Sequence, residues 1–183
     1  MKEENLHNKL LEKTNEEIIH YIIFTYGEEI KRLIITYVKS YDVADDIFQE
    51  FLIKTYNSLS GFRSDSSLKT WLYRIAINKC KDYLRSPIHR LIHYTDKLSS
   101  IKKEESAEDA YLEKENNEQL ARTVLSLSIK YREVMILKYY KDLSIQEVSA
   151  ALGINESTVK TRIMRGKNKL QNKIGGADIG ISK

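Results

Sequence analysis

This chain of 183 residues is poor in the residues that break helices or cross-link chains: it holds one proline, seven glycines and one cysteine. With a single cysteine, Cys80, no intramolecular disulfide can form, and a reducing compartment is expected. The scarcity of proline and glycine, beside abundant leucine, isoleucine, lysine and glutamate, favours helices over sheet. Cys80 lies in a helical pattern and is predicted to be a small packing residue.

The sequence also lacks a long apolar run. The longest apolar patch, residues 18–24, is interrupted by His20 and is far too short to span a bilayer. Lys2, Glu3 and Glu4 precede no apolar core, so no signal peptide is predicted. We therefore expect a soluble cytoplasmic protein with no direct membrane insertion.

No arrangement of residues typical of an enzyme is present in the sequence. It has no glycine-rich phosphate loop and no Cys/His cluster at zinc spacing. His89 and His93 are four residues apart, which could suit a shared metal, but no carboxylate-bearing helix faces them in the sequence. We expect no catalytic residue, no metal site and no cofactor.

The charge is unevenly distributed, although the net charge is only +4. Residues 63–90 and residues 156–173 each carry a net charge of +5, whereas residues 96–118 hold eight acidic residues against four lysines. Two separated basic regions suggest two contacts with a polyanion. The acidic stretch is typical of a solvated linker.

Apolar spacing divides the chain into two helical units. We predict a flexible segment at 1–14, a first unit at 15–86, a linker at 87–116, a second unit at 117–174 and a disordered tail at 175–183. In the first unit the apolar stripes contain Ile18, Ile22, Ile23, Ile30, Leu33, Ile34 and Val38, then Ala44, Ile47, Phe48, Phe51, Leu52 and Thr55, then Leu72, Ile75, Ala76 and Lys79. Asp42 is expected to cap a helix that begins at Val43, and a further helix is expected from about Leu68 to Leu84. In the second unit the apolar positions of the first two helices are Leu120, Val124 and Leu127, then Val134, Ile136, Leu137 and Tyr140.

The segment Leu143–Leu170 has the pattern of a helix-turn-helix. Ser144 and Glu147 fit a capping box at the start of the first helix. Gly153 suits a left-handed turn at its end, and Asn155 suits the N-cap of a second helix that runs to about residue 173.

The second helix of this pair has an apolar and a basic side. The apolar stripe contains Val159, Ile163, Gly166 and Leu170, and the other stripe contains Thr158, Thr161, Arg162, Arg165 and Lys169. A helix anchored on one side and basic on the other fits the major groove of DNA. The alternative is a solvated surface helix in another all-α bundle.

The first unit joins an acidic helix face to an aromatic and basic helix. Asp46, Gln49 and Glu50 share one face, Asp45 adjoins it, and no basic residue occurs at positions 43–53. Such a face is either simply solvated or docks onto a basic partner, where charge complementarity sets the register.

The residues that follow the acidic face mix rings, cations and an amide. They are Phe62, Arg63, Trp71, Tyr73, Arg74, Asn78, Lys81 and Arg85. Proteins that handle single strands need rings or pockets for unstacked bases in addition to cations. The alternative is that Trp71 and Tyr73 belong to the core, which we expect for Trp71.

Both units, in this order and at this spacing, resemble the extracytoplasmic-function (ECF, group 4) sigma factors of the bacterial sigma-70 family over about residues 18–174. The motifs that carry the resemblance are Asp46–Glu50 (DIFQE), Phe62–Arg63 and Thr70–Asn78, then Tyr131–Val134, Leu143–Gly153 and Thr158–Arg162. The sequence departs from the family pattern at Leu52, Ser128 and Ser149, where Phe, Pro and Ala are usual. None of the three is a predicted contact residue.

The resemblance implies an all-α fold of two small helical domains, a sigma-2-like bundle and a sigma-4-like helix-turn-helix domain, joined by the acidic linker. It implies a non-catalytic sigma factor that binds core RNA polymerase and directs promoter-specific initiation of transcription, in response to an envelope or extracytoplasmic signal. The implied partners are the clamp helices of the largest polymerase subunit, the flap near the −35 element, promoter DNA (single-stranded at −10, duplex at −35) and a membrane-bound anti-sigma protein.

The resemblance also assigns roles to individual residues. The surface that grips the clamp helices matches Asp45, Asp46, Gln49 and Glu50. At the −10 element, a pocket for a flipped base matches Phe62 and Asn78, and the phosphate contacts match Arg63, Lys69, Arg74, Lys81 and Arg85. At the −35 element, the base readers match Lys160, Thr161, Met164 and Arg165, with Thr158 beside them, and the phosphate contacts match Arg162, Lys167 and Lys169.

Two other classes of protein stay open at this point. A repressor or activator with one helix-turn-helix would need neither the acidic face nor the aromatic segment, and would typically dimerise. An enzyme acting on nucleic acid would need a set of metal-binding carboxylates, and the sequence shows none.

Overall fold

The structure, a computed structural model, describes residues 14–62, 65–87 and 115–174. The regular elements in these ranges are all helical, which confirms the all-α fold class. The chain divides into two compact units, with the main division between residues 92 and 93.

The first unit contains three helices joined by short turns. They are α1 (Asn15–Val38), α2 (Tyr41–Ser58) and α3 (Leu68–Arg85), and a single 3-10 turn (Leu59–Gly61) follows α2. At the start of α1 the Thr14 N–H donates to the Glu17 carboxylate at 2.8 Å, and the Glu17 N–H donates to the Thr14 hydroxyl at 3.2 Å. This reciprocal capping box fixes where α1 begins. The helix ends because Lys39 adopts a left-handed backbone conformation with φ 56°.

The cap of α2 differs from the prediction. The Ser40 hydroxyl accepts the Val43 N–H at 3.4 Å, so α2 begins at Tyr41. The prediction that Asp42 caps a helix beginning at Val43 is therefore wrong. Asp42 lies inside the first turn, where its negative charge still stabilises the helix through the helix dipole. α3 begins at Leu68, as predicted.

One face of each of the three helices packs into the core of the first unit. The hydrophobic side chains with at most 1% exposure are Ile22, Ile30, Leu33, Ile34, Ala44, Phe51, Leu72, Tyr73, Ala76, Ile77 and Cys80. Burial of each large apolar side chain stabilises the fold by about 1.5–3 kcal/mol. Ile23, predicted to belong to the first apolar stripe, is 40% exposed, because it lies at the edge of the buried face of α1.

The second unit is built mainly from four helices and one wider turn. They are α4 (Glu115–Leu125), α5 (Ile129–Met135), a π turn (Ile136–Tyr140), α6 (Ile145–Leu152) and α7 (Glu156–Ile174). α7 packs against both α4 and α5.

The packing of α7 follows the predicted apolar stripe. Val159, Ile163, Gly166 and Leu170 are all buried. Gly166 lies where α7 approaches α5: a Cβ atom there would be 3.1 Å from Cγ of Met135, so the Met135 side chain would have to shift by a few tenths of an ångström. The stripe fixes which side of α7 remains available to a partner.

The turn between α6 and α7 confirms the predicted helix-turn-helix. The Ser144 N–H donates to the Glu147 carboxylate at 2.8 Å, and the Glu147 N–H donates to the Ser144 hydroxyl at 3.1 Å, so the capping box is present. Gly153 has φ 65°, a conformation that favours glycine. α7 then begins at Glu156, directly after Asn155.

Tyr140 is 65% exposed, whereas the sequence placed it among the apolar positions of its helix. The cause is the π turn, in which the Lys141 N–H reaches the Ile136 carbonyl at 2.9 Å, five residues back. The wider turn rotates the following side chains relative to an α-helix. Val134 and Leu137, predicted with Tyr140, are fully buried.

Candidate functional site

An exposed stripe runs along α2 on the side opposite the core. Asp42, Asp46, Gln49 and Ile53 recur at i, i+4, i+7 and i+11, and all four are exposed. We name these four residues the acidic stripe. Ile53 is 63% exposed, so the stripe combines carboxylates with an apolar side chain at one end. Sequence reasoning selected Asp46 and Gln49 but missed Asp42, assigned as a cap, and Ile53, which it placed neither in the apolar stripe nor among the polymerase contacts.

The carboxylates at the two edges of the acidic stripe are held by the neighbouring helices. Asp45 lies 2.6 Å from Nζ of Lys31 on α1, and Glu50 lies 3.0 Å from Nζ of Lys79 on α3. The hydrogen bond to Asp45 raises the pKa of Lys31. The four residues predicted to bind polymerase therefore fall into two pairs, with Asp46 and Gln49 at the centre and Asp45 and Glu50 at the edges. These lysine partners come from other helices, so the spacing along α2 could not reveal them.

A second exposed stripe runs along α3. Trp71, Arg74, Asn78, Lys81 and Arg85 share one side of the helix, and Leu72, Ala76 and Cys80 are buried on the other. Arg74, Asn78 and Arg85 are exposed, and Lys81 is half-buried. We name the five residues the cationic stripe. The structure thus brings four of the predicted −10 residues onto one face.

The aromatic residue at the start of this stripe has a ring partner. The Phe62 and Trp71 ring centroids are 5.0 Å apart at an interplanar angle of 47°. Trp71, expected in the core, is half-buried instead. Asn78 lies two turns further along α3, about 10 Å by helix rise. Arg63, the remaining predicted residue of this segment, lies outside the described residues.

Lys69, another predicted phosphate contact, meets a carboxylate and a ring within the first unit. Its Nζ lies 3.1 Å from Oε1 of Glu29 on α1 and 5.7 Å from the Tyr73 ring centroid. The Tyr73 hydroxyl donates to the same Glu29 oxygen at 2.5 Å. Burial, with this hydrogen bond, raises the pKa of Tyr73 far above its usual range. Lys69 thus offsets the charge of a carboxylate that anchors a buried tyrosine.

The exposed face of α7 lies opposite its buried stripe. Thr161, Met164, Arg165 and Asn168 recur at i, i+3, i+4 and i+7 and are all exposed, Met164 to 57%. We name these four residues the reading face. Asn168 was missed by sequence reasoning, although an exposed amide two turns after Thr161 is a signal that could have found it. The Thr161 hydroxyl donates to the Ser157 carbonyl at 2.8 Å.

Cations lie on both sides of the reading face. Arg162 and Lys169, seven residues apart, lie on the side next to α5, while Lys160 and Lys167 lie on the other side. Lys169 Nζ is 5.7 Å from the Tyr131 ring centroid, and Lys167 Nζ is 5.1 Å from that of Tyr139. Lys160, predicted with the base readers, thus lies beside Lys167.

Arg162 is the most strongly held of these cations. Its Nη1 lies 2.8 Å from Oε1 of Glu133 on α5, and the side chains of Arg162 and Glu133 are 26% and 3% exposed. Glu133 was not among the predicted site residues. The pair ties α7 to α5 at one side of the reading face.

The described residues contain neither a membrane-spanning helix nor a metal cluster. Over residues 14–62, 65–87 and 115–174, no helix combines the length and hydropathy needed to cross a membrane. In the same ranges, no three His, Cys, Asp or Glu side chains gather as a metal site would require. His89 and His93 lie outside the described residues.

Both units match known families. Residues 22–87 match Sigma-70 region 2, and residues 117–170 match Sigma-70, region 4. The ECF RNA polymerase sigma-E factor of Escherichia coli K12 is 31% identical over 173 residues, covering 90% of each chain. The ECF RNA polymerase sigma factor SigW of Bacillus subtilis 168 is 31% identical over 175 residues, covering 91% of this chain and 94% of SigW.

Two solved complexes contain proteins of similar fold. The sigma factor RpoE from Bartonella quintana, crystallised with the anti-sigma factor NepR, has a TM-score of 0.68 and 22% identity, covering 85% of this chain and 95% of RpoE. CnrH, solved with the cytosolic domain of CnrY, has a TM-score of 0.61 and 22% identity, covering 87% of this chain and 88% of CnrH. These similarities show the fold.

The chain belongs to the sigma-70 family of RNA polymerase sigma factors, in its ECF subfamily. It is a sigma factor, which binds core RNA polymerase and directs it to initiate transcription at promoters. The family and the function predicted from the sequence motifs are therefore confirmed.

Proposed function

We propose that the three exposed faces divide the work of this sigma factor. The acidic stripe of α2 docks on core polymerase, the cationic stripe of α3 holds the opened −10 element, and the reading face of α7 reads the −35 element. The proposal rests chiefly on one observation: the first unit presents an acidic face on α2 and a cationic, aromatic face on α3. The polymerase and the DNA can therefore bind to this unit at the same time.

Docking on polymerase uses the centre and the edges of α2 differently. Asp46 and Gln49 present oxygen and amide groups to a basic partner, and Ile53 adds apolar contact area. Protein interfaces gain most of their affinity from a few buried anchors, whereas charges set encounter and register. Asp45 and Glu50 are oriented by Lys31 and Lys79, so they contribute to the field of the surface while already paired.

At the −10 element, α3 supplies cations for phosphates and an amide for a base. Arg74, Lys81 and Arg85 lie on the same side of α3 as Asn78. Flipping a base costs a few kcal/mol, and a fitted pocket offsets that cost for the matching base. Phe62, whose ring lies against Trp71, offers a stacking surface at the loop end of this side. Lys69, predicted as a further phosphate contact, is also paired with Glu29.

At the −35 element, α7 enters the major groove with its reading face towards the bases. Arg165 can donate to guanine O6 and N7, and Asn168 can pair with adenine N6 and N7. The cations on either side of this face, such as Lys160 and Lys169, would contact phosphates, which position the helix without specifying sequence. Arg162 mainly holds α7 on α5 through Glu133.

Compartment, catalysis and regulation follow from this role. The factor acts in the cytoplasm with the polymerase and carries no catalytic residue of its own, since the polymerase makes the RNA. We further propose that a membrane-bound anti-sigma protein holds it inactive until an envelope signal arrives. The complex of the similar sigma factor RpoE with the anti-sigma factor NepR supports regulation of this kind.

Reconstitution with core polymerase tests the proposal. Run-off transcription over a library of genomic fragments should give discrete start sites that share upstream −35 and −10 sequences. The absence of start sites that depend on this chain would contradict the proposal. A gel shift separates it from a single helix-turn-helix regulator, which would bind its duplex equally well without core polymerase.

A further inference from the structure

A groove of about 320 Å³ separates the start of α5 from the exposed side of α7. Lys130 and Tyr131 line it from α5, and Arg162 and Arg165 are among the residues that line it from α7. Arg165 was predicted to contact DNA, but nothing in the sequence motifs assigns Lys130. The groove therefore adds a second helix to the surface that α7 presents.

The lining of the groove selects for an anion. Three of its seven lining residues are cationic and none is acidic. Glu133 offsets the charge of Arg162, which leaves the charges of Lys130 and Arg165 for a ligand. The hydroxyls of Ser157, Thr158 and Thr161 complete the lining. Cations with hydroxyl groups form the usual setting of protein contacts to phosphate oxygens.

Lys130 is held in place beside α7 by a shared ring. Its Nζ lies 5.1 Å from the Tyr131 ring centroid, and Lys169 Nζ lies 5.7 Å from the same centroid. Tyr131 is 9% exposed, so this ring is a fixed support. Cation–π contacts of this kind attract an ammonium group without neutralising its charge. Lys130 therefore extends the row of cations beside the reading face with a charge from another helix.

We propose that this groove seats one phosphate of the DNA backbone at the edge of the −35 element, and that Lys130 is its principal cationic ligand. The inference rests on the proposed function of α7 and deepens it. The occupant is a segment of a polymer because the groove is open to solvent and polar, whereas sites for small molecules are mostly apolar and enclose their ligands. A backbone phosphate there would place α7 in register without reading sequence.

The salt dependence of DNA binding tests the proposal with the full chain. Binding to a fluorescent duplex of mixed sequence is measured by anisotropy over a range of KCl concentrations. Lys130→Ala should lower the slope of log K against log salt by about one unit and weaken binding about three- to tenfold at low salt. Lys130→Arg should restore most of the slope. An unchanged slope for Lys130→Ala would overturn the proposal.

Lys173→Ala is the matched control, since it removes the same charge from the same unit. Lys173 lies near the far end of α7, does not line the groove, and donates to the Ser126 hydroxyl at 2.7 Å. Its slope should equal that of wild type. An equal loss of slope in both variants would show an effect of net charge alone and would overturn the groove assignment.

Two further experiments distinguish failure of the groove assignment from failure of the proposed function of α7. Lys169→Ala and Arg165→Ala test the DNA-binding role of α7 itself: if neither changes binding, the proposed function of α7 fails. If these two change binding and Lys130→Ala does not, only the groove assignment fails. Calorimetric titration with inorganic phosphate at constant ionic strength tests the other source of the same chemistry. Saturable binding that Lys130→Ala abolishes, with an unchanged DNA slope, would overturn the DNA assignment in favour of a small-anion site.

Discussion

Arg162 on α7 donates to the carboxylate of Glu133 on α5 at 2.8 Å, and only 3% of the Glu133 side chain is exposed. A charge buried this far is costly unless an opposite charge stays beside it. Arg162 lies one residue from Thr161 and three from Arg165, both on the reading face. The pair therefore links the packing of the second unit to the orientation of its DNA-binding surface.

The first prediction concerns this pair. Arg162→Ala should destabilise the second unit by about 2 kcal/mol, because it removes the guanidinium from a buried carboxylate. Lys169→Ala removes an exposed cation from the same side of α7 and should change stability by less than about 0.5 kcal/mol. Urea unfolding followed by circular dichroism measures both. Trp71, the single tryptophan, lies in the first unit, so its fluorescence is an internal control that should not shift. Equal stability of the two variants would contradict the structural role of Arg162.

The second prediction concerns the charge at the centre of the acidic stripe. Asp46→Lys should weaken binding to core polymerase by at least about tenfold, and by more at low salt, because it places a like charge against a basic partner. Glu28→Lys, the same charge change at an exposed position on α1, is the control and should bind as wild type. Titration of labelled protein with core polymerase measures both affinities. Unchanged affinity for Asp46→Lys would exclude the acidic stripe as the docking surface.

The third prediction concerns the apolar end of the same stripe. Ile53→Ser should weaken binding to core polymerase by about 1–2 kcal/mol, because a side chain that is 63% exposed in the free protein becomes buried against the partner. Its own fold should lose little, since the side chain is already largely in water. Ile47→Ser, at a buried position on the same helix, should instead unfold the first unit. Wild-type affinity of Ile53→Ser would show that Ile53 lies outside the interface.

The fourth prediction concerns Cys80. Burial raises the pKa of its thiol to about 12, so at neutral pH the native protein should react with thiol reagents only through opening of the first unit. The unfolded thiol titrates near pH 9.0, so the stability that the buried neutral thiol contributes is present below that pH and is lost as the pH rises towards 12. The rate at which a disulfide reagent labels Cys80 in increasing urea measures how far labelling depends on opening of the first unit. Rapid labelling without denaturant would contradict the burial.

Local signals in the sequence predicted the helix-turn-helix well. The capping box of Ser144 and Glu147, the turn at Gly153 and the buried side of α7 depend on residues within a few positions of each other, and the structure confirms all three. Residue type alone grouped the five residues of the cationic stripe, but it grouped Tyr73 with them, which is buried in the core.

Contacts between helices could not be predicted from spacing. Lys69 and Arg162 are both predicted phosphate ligands, and each also meets a carboxylate from another helix, Glu29 and Glu133, which the sequence did not indicate. The exposure of Tyr140 depends on a π turn that no residue pattern announces. Each of these differences arises because partners distant in sequence, or a change of helix type, decide where a side chain points.

Permanganate footprinting of promoter complexes tests the central claim most directly, because it detects the unpaired thymines that opening of the −10 element exposes. With reconstituted polymerase, Asn78→Ala and Phe62→Ala should retain closed-complex binding, since the −35 and phosphate contacts remain. Both should lose most of the thymine reactivity, because a captured base no longer offsets the cost of unstacking. Asn15→Ala, at an exposed asparagine at the start of α1, should react as wild type. Wild-type reactivity in both the Asn78 and the Phe62 variants would contradict the assignment of the −10 element to α3 and the loop before it.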